Sequence, residues 1–204
     1  MRTTQITGHP PVGVILAGGP GSRIGGNKAG VALHGQPLLH HALRALRQVL
    51  ADVAIIAKPQ TVLPRLEGAM VWVEPDQPVH PMLGVCEALA LAGGRAVLVC
   101  PLDMPFISPR LLGALALAEP ARSAAVVASY HGVARPLVGR YGPAAASLLS
   151  AAAHDQVPPE QVVGMLDPML VEVEDELELF DVDTPDDLLQ AAGMLDRQRR
   201  SVRI

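Results

Sequence analysis

The sequence predicts an α/β fold built on a mostly parallel β-sheet. Short apolar runs that suit buried strands alternate with stretches that have helical spacing. Four such runs lie in the first half of the chain, at residues 12–16 (VGVIL), 52–57 (DVAIIA), 69–73 (AMVWV) and 96–100 (AVLVC). Because strands that alternate with helices form βαβ units, the order of these runs indicates a parallel sheet.

The first strand, 12–16, leads directly into a glycine-rich loop. The glycines of this loop are Gly18, Gly19, Gly21, Gly25 and Gly26. Glycine permits positive φ angles and a close approach of backbone N–H groups to a ligand, and successive free N–H groups form an anion-binding concavity. Arg23 and Lys28 add two cations to the same loop. We therefore predict a polyphosphate site; the alternative is a tight turn between strand and helix whose cations face water.

The loop matches neither of the two commonest phosphate-binding patterns. A Walker A loop requires Gly-Lys-Ser/Thr, whereas residues 27–29 are Asn-Lys-Ala. The dinucleotide fingerprint Gly-x-Gly-x-x-Gly begins at Gly19 and Gly21 and is broken by Ile24. A polyphosphate at this loop would therefore be bound by a loop of another type.

A helix is expected after the loop. Residues 31–33 suit a short extended piece, and 34–35 suit a turn. Pro37 suits the first position of a helix, and the apolar residues between 38 and 50 then follow helical spacing. A second helix is predicted over 83–91, between the third and fourth strands.

The fourth strand ends at an acidic residue, Asp103, within the segment Pro-Leu-Asp-Met-Pro (101–105). In parallel α/β sheets, ligands bind beyond the carboxyl ends of the strands, so Asp103 is expected at the same edge as the glycine loop. A carboxylate beside polyphosphate is a natural ligand for Mg²⁺. Asp181 and Asp183, near the end of the chain, have no other structural explanation, and either could approach Asp103.

The middle of the chain predicts a capped helix and a hairpin. Ser108 is a suitable N-cap for a helix over 108–117, with proline at its first position. Strands are predicted at 124–129 and 133–141, and the turn 131–132 pairs them.

The last quarter of the chain predicts mixed structure. Residues 143–153 are alanine-rich and helical, whereas the prolines of 154–168 predict a mostly irregular segment. The five carboxylates within 172–178 suit an exposed turn better than a metal site. Thr184 is predicted to be the N-cap of a final helix, with Asp187 at the capping-box position.

The length predicts one domain, or one domain with an elaboration, and the composition argues against several classes of protein. The chain has 204 residues, a net charge of −4 and no basic stripe interleaved with aromatics, which argues against nucleic-acid binding. Cys86 and Cys100 indicate neither a disulfide framework nor a zinc site. We expect a domain over 12–196 between a loose N-terminus, 1–11, and a basic tail, 197–204. With no membrane span and no signal peptide in the sequence, the expected compartment is the cytoplasm.

Four motifs that occur in order along the chain resemble one family. They are LAGG-x-x-x-R-I-G-G-x-K (16–28), PLDMPFI (101–107), ARPL (134–137) and DVDTPDDL (181–188). Together they resemble the molybdenum cofactor guanylyltransferases, a branch of the MobA-like NTP transferases. This resemblance implies a Rossmann-like three-layer α/β sandwich of the nucleotide-diphospho-sugar transferase type. The form Leu-Ala-Gly-Gly is more similar to the guanylyl branch than to the cytidylyl branch.

The resemblance also implies roles for individual residues. The backbone of the segment from Leu16 through Ala17 and Gly18 to Gly19 would contact guanine and ribose, and the missing β-carbon of Gly18 would leave room for the purine. Arg23 and Lys28 would hold the phosphates from an exposed cleft, and Asp103 would bind Mg²⁺. Asp183, singled out above from the residues alone, is a second candidate ligand, although the family has Asn-x-Asn where this chain has Asp181 and Asp183. Lys58, where the family often has Asn, and Asp76 would complete the nucleotide contacts. Arg23, Lys28 and Asp103 are thus the predicted catalytic residues.

The implied reaction is transfer of GMP from GTP to the terminal phosphate of molybdopterin, with release of pyrophosphate. Its partners would be GTP, molybdopterin and the molybdoenzymes or chaperones that receive the product, with no nucleic acid and no membrane. The alternatives are a cytidylyltransferase acting on molybdopterin, another MobA-like nucleotidyltransferase acting on a small phosphorylated substrate, and a nucleotide-binding protein without turnover.

Overall fold

Seven strands of the described chain form one mixed sheet. A computed structural model describes residues 9–19, 21–66, 68–119 and 123–201. The described residues form nine strands in all: β1 (Val12–Leu16), β2 (Ala32–Leu33), β3 (Gln36–Pro37), β4 (Val53–Ala57), β5 (Met70–Val73), β6 (Val97–Pro101), β7 (Ala125–Tyr130), β8 (Val133–Tyr141) and β9 (Met169–Glu172). The order in the sheet is β5-β4-β1-β6-β8-β7-β9, and β2 and β3 form a separate small ribbon.

The helices cover both faces of this sheet. They are α1 (Leu38–Arg47), α2 (Leu83–Leu91), α3 (Pro109–Leu117), α4 (Ala146–His154), α5 (Pro159–Met165) and α6 (Pro185–Ser201). Successive residues of a strand point to opposite faces, so Val14 belongs to the core that α2, α4 and α5 cover, whereas Ile15 belongs to the core that α1, α3 and α6 cover. The result is three layers, helix, sheet and helix, with an apolar core on each side of the sheet.

The predicted α/β class with a mostly parallel sheet is confirmed. β1 pairs in parallel with β4 and β6, β4 pairs in parallel with β5, and β7 pairs in parallel with β9. β8 is the exception, because it runs antiparallel to both β6 and β7. The predicted turn at His131 and Gly132 joins β7 to β8, and both residues have positive φ (49° and 75°), as tight hairpin turns require.

Several boundaries differ from the sequence prediction. The segment 154–168 is not mostly irregular, since α5 begins after Pro158 with Pro159 at its first position, where proline is well tolerated. The strand β9 was not predicted; it is short and lies at an edge of the sheet, where half-exposed residues give little alternation. Pro37 precedes α1 rather than opening it.

The termini are described only in part. Residues 1–8 of the expected loose N-terminus and 202–204 of the expected basic tail lie outside the described residues. Residues 197–201 are not a separate tail, because they continue α6.

Candidate active site

The candidate site lies at the carboxyl edge of the parallel strands. Leu16, the last residue of β1, is in register with Pro101, the last residue of β6. The next backbone N–H, that of Leu102, donates to the carbonyl of Leu16 over 3.2 Å. The glycine loop and the segment that carries Asp103 therefore leave the sheet side by side, as predicted from the strand order.

The glycine loop folds back over Lys28. A short 3₁₀ turn, Ser22–Ile24, is flanked by Gly21 and Gly25, whose φ angles are +59° and +93°. A β-carbon on Gly21 would lie 2.8 Å from the β-carbon of Lys28, so the loop backbone packs directly on this side chain. Glycine at 21 is thus required twice, by the positive φ and by the close approach.

Lys28 stands between two carboxylates that are distant in sequence. Its Nζ donates to Asp103 and lies 2.5 Å from Oδ1 of Asp183. Arg23 reaches the same group, with Nη2 2.8 Å from Oδ2 of Asp183. The Lys28 side chain is only 10% exposed, whereas that of Arg23 is 70% exposed. We expected both cations in an exposed cleft. This prediction is wrong for Lys28, because its ammonium is buried in ion pairs with Asp103 and Asp183.

Burial and charge act against each other in this cluster. Burial by itself would lower the pKa of Lys28, but the charges and hydrogen bonds of Asp103 and Asp183 raise it above the ordinary value of 10.5. Burial raises the pKa of Asp103, and the ammonium of Lys28 opposes this rise. Lys28 is therefore a firmly charged cation that holds two carboxylates together.

Asp183 is positioned by the cap of α6. The Thr184 hydroxyl accepts from the N–H of Asp187, and the Asp187 carboxylate accepts from the N–H of Thr184, which is the predicted capping box. The N–H of Val182 donates to the carbonyl of Asp103 over 2.9 Å. Of the two aspartates that the sequence left open, Asp183 therefore joins the cluster, whereas the side chain of Asp181 is exposed.

Three cavities share Gly19 as a lining residue, and together they are lined by all the residues predicted for the site. The first, about 500 Å³, is lined by Ala17, Gly18, Lys58 and Asp76 among others. The second, about 210 Å³, contains Leu16, Arg23, Lys28, Asp103 and Asp183. The third, about 280 Å³, shares Gly18 and Lys58 with the first and is also lined by Glu74, Asp103 and Leu137. The structure thus gathers all the predicted residues along one cleft.

Lys58 and Asp76 lie at the rim of this cleft. The ammonium of Lys58 donates to the carbonyls of Pro75 and Asp76 over 3.1 and 3.4 Å, so it holds the segment after β5. The carboxylate of Asp76 accepts from Gln60 over 3.0 Å and is otherwise exposed. Their contact with a nucleotide stays a prediction.

Sequence reasoning missed Glu74, a buried carboxylate beside the loop. Its side chain is 10% exposed and is pressed against Gly18, where a β-carbon would overlap its Oε1. We expected the missing β-carbon of Gly18 to leave room for a base; this is wrong, because Glu74 fills that space. The available signal was an acidic residue directly after the strand 69–73, the same placement that drew attention to Asp103.

A comparison with known families shows which one this chain resembles. The sequence profile of the MobA-like NTP transferase domain matches residues 13–167. The chain belongs to this family. The resemblance found in the four motifs is confirmed, and so is the nucleotide-diphospho-sugar transferase fold that it implied.

Individual proteins of known name are also similar to this chain. The chain is 30% identical to a molybdenum cofactor guanylyltransferase of Rhizobium johnstonii over 92% of this chain and 94% of that protein. It is 38% identical to a molybdenum cofactor guanylyltransferase of Xanthomonas euvesicatoria, over 52% of this chain and 54% of that protein. It superimposes on molybdopterin-guanine dinucleotide biosynthesis protein A of Archaeoglobus fulgidus with a TM-score of 0.76 and 23% identity, over 91% of this chain and 98% of that one.

Two kinds of feature are absent from the part of the chain that the structure describes. Within 9–19, 21–66, 68–119 and 123–201, no group of three or more His, Cys, Asp or Glu side chains is arranged to hold a metal ion by itself. In the same part of the chain, no helix is both long and apolar enough to cross a bilayer.

Arg23 is expected to contribute to nucleotide binding and not to stability. An Arg23→Ala variant removes a charge-assisted contact to phosphate of about 1.5–3 kcal/mol, so it should weaken GTP binding at least about tenfold. The ion pair with Asp183 is solvent-exposed at Arg23, so the melting temperature should barely change. Calorimetric titration and thermal unfolding check both parts. Unchanged GTP affinity in the folded variant would remove Arg23 from the phosphate site.

Proposed function

We propose that the chain transfers GMP from GTP to the terminal phosphate of molybdopterin and releases pyrophosphate. The observation that carries the proposal is the cluster of Lys28, Asp103 and Asp183 beside the glycine loop in a MobA-like fold. The similar proteins of Rhizobium and Xanthomonas are named guanylyltransferases, and that of Archaeoglobus is named for the guanine dinucleotide, which supports GTP over CTP as the nucleotide. The product would then pass to molybdoenzymes or to chaperones that serve them.

The donor set suits a magnesium ion that arrives with its nucleotide. Mg²⁺ in nucleotide sites takes one or two carboxylates and completes its shell with phosphate oxygens and water. Asp103 and Asp183 share one ammonium ion and are thus close enough to share one cation. Because the described residues contain no larger acidic group, we propose that Asp103 and Asp183 hold Mg²⁺ only together with phosphate. Bound there, the ion would neutralise phosphate charge and polarise a phosphoryl oxygen.

The protein side chains of the site position the phosphates and offset their charge. An oxygen of the terminal phosphate of molybdopterin attacks the α-phosphorus of GTP, a new P–O bond forms, and the bond to the bridging oxygen between α and β breaks. Arg23 and Lys28 lie where they can offset the charge on the pyrophosphate that leaves. The reaction requires no covalent intermediate on the protein, and orientation supplies much of the rate.

Lys28 has to change partners during this cycle. Its ammonium holds the two carboxylates in the structure described above, and phosphate oxygens are competing acceptors of the same kind. With Asp103 and Asp183 holding a metal ion, the ammonium of Lys28 would be free to contact phosphate. The four-carbon stem of lysine is flexible, which suits an ammonium that exchanges one set of acceptors for another.

The proposal is tested by turnover with each of the four nucleotides. Purified protein, molybdopterin and Mg²⁺ are incubated with GTP, CTP, ATP or UTP, and pyrophosphate release is measured with and without EDTA. We expect release with GTP, little with the others, and none after chelation. Preference for CTP would place the protein in the cytidylyl branch. Absence of release with every nucleotide would contradict nucleotidyl transfer to molybdopterin.

A further inference from the structure

A groove lined by arginines lies along the outer face of α1. Its volume is about 500 Å³, and it is bounded by this helix and by the segment that joins β4 to β5. The polar side chains that line it are Gln36, His40, Arg44, Arg47, Gln48 and Arg65. None of these residues lines the three cavities of the cleft, so the groove is separate from the candidate active site. We call this surface the α1 groove.

The spacing of the polar residues on α1 places them along one side of the helix. His40, Arg44 and Gln48 follow one another every fourth residue, and Arg47 comes three residues after Arg44. Residues three and four apart are neighbours on a helix surface. From His40 to Gln48 this row is about 12 Å long, at a rise of about 1.5 Å per residue. An extended segment of about four residues would cover the same length.

The two walls of the α1 groove are close to each other. Nε2 of His40 donates to the carbonyl of Arg65 over 3.0 Å, which ties the helix to the segment between β4 and β5. Nη2 of Arg47 lies 3.7 Å from the position that a β-carbon on Gly68 would take, so this guanidinium extends towards the opposite wall. The α1 groove therefore has its shape before any partner binds, and both of its walls carry an arginine.

The α1 groove is positively charged in a protein whose net charge is −4. Arg44 donates to the amide oxygen of Gln36 over 2.5 Å, and because this acceptor is neutral, the hydrogen bond does not offset the positive charge. By contrast, Arg110 on α3 pairs with the carboxylate of Glu174. Among the described residues that line the α1 groove there is no Asp or Glu. A negatively charged partner is therefore attracted here, whereas the net charge of the chain repels it elsewhere.

We propose that the α1 groove binds an extended acidic segment of a partner protein. Carboxylates at alternate positions of an extended chain lie about 6.6 Å apart on one side, which is close to the separation of about 5–6 Å between side chains such as Arg44 and Arg47. Guanidinium groups bind carboxylates through two parallel hydrogen bonds, and glutamine amides both donate to and accept from a backbone. A small phosphate compound fits less well, because the donors spread along the helix. The inference goes beyond the proposed function and does not depend on it.

The test uses a fluorescein-labelled peptide of alternating Glu and Thr, about eight residues long. Its binding to the full chain is measured by fluorescence anisotropy, with a peptide of alternating Gln and Thr as the neutral comparison. We expect the Glu peptide to bind at least about tenfold more tightly than the neutral one, and its binding to weaken as salt is added. Arg44→Gln should weaken that binding at least about fivefold, because it removes the guanidinium and keeps a good helix former. Arg47→Gln, on the same wall, should give a similar loss.

The matched control is Arg110→Gln, which changes the net charge by the same amount. Arg110 is exposed and lies outside the α1 groove, so the affinity of this variant for the Glu peptide should stay within about twofold of that of the unaltered protein. Equal affinities of Arg44→Gln and Arg110→Gln would overturn the proposal, and so would equal binding of the two peptides. Tripolyphosphate or an oligonucleotide that binds more tightly than the Glu peptide, and loses this binding in Arg44→Gln, would also overturn it, because the groove would then be a site for phosphate groups.

Discussion

An Asp103→Asn variant is expected to keep its fold and to lose at least about 100-fold in turnover. Asn has nearly the same volume, and Lys28 retains its contact with Asp183, so the buried ammonium stays paired. The amide has no negative charge with which to hold Mg²⁺ beside the phosphates. The measurement is pyrophosphate release at saturating GTP, together with thermal unfolding.

The control for Asp103→Asn is Asp181→Asn. Asp181 has the same side chain and lies two residues before Asp183, but it is exposed and outside the cluster. Its variant should turn over at a rate close to that of the unaltered protein. Nearly normal turnover in a folded Asp103→Asn protein would exclude Asp103 from the metal site.

A Lys28→Ala variant is expected to lose both stability and turnover. Removing the ammonium leaves Asp103 and Asp183 as neighbouring, largely buried carboxylates without their shared cation. Breaking a buried pair in this way costs roughly 3 kcal/mol, the low end of the usual range, because Asp183 keeps some contact with solvent. Chemical unfolding measures this loss, and pyrophosphate release measures the loss of the phosphate contact.

The pH dependence of this effect follows from the raised pKa of Lys28. A raised folded pKa means that the stabilisation is fully present below the ordinary value of 10.5 and is lost as the pH rises through the folded value. The difference in unfolding free energy between the two proteins should therefore stay constant between about pH 7 and pH 9. A stability equal to that of the unaltered protein would show that Lys28 does not hold the cluster together.

The local signals in the sequence were sufficient for most of the fold. The short apolar runs, the helix 83–91, the hairpin at His131 and the cap at Thr184 all depend on interactions within a few residues, and each forms as predicted. The exceptions are α5 and β9. The prolines around α5 suggested irregular structure although proline is compatible with a helix start, and β9 is stabilised by pairing with β7 rather than by its own pattern.

The sequence by itself determined the α/β class, the family and the residues to suspect. Glycine spacing, charge on a loop and an acidic residue after a strand are local patterns, and so is the lack of another structural explanation for Asp181 and Asp183. Only the tertiary structure decided how these residues meet. Lys28 and Asp183 are separated by 155 positions, and they pair because the cap of α6 is held against the segment after β6. Glu74 likewise reaches Gly18 and Gly84 only through the order of the strands and the packing of α2, since burial and close contact depend on neighbours that are distant in the chain.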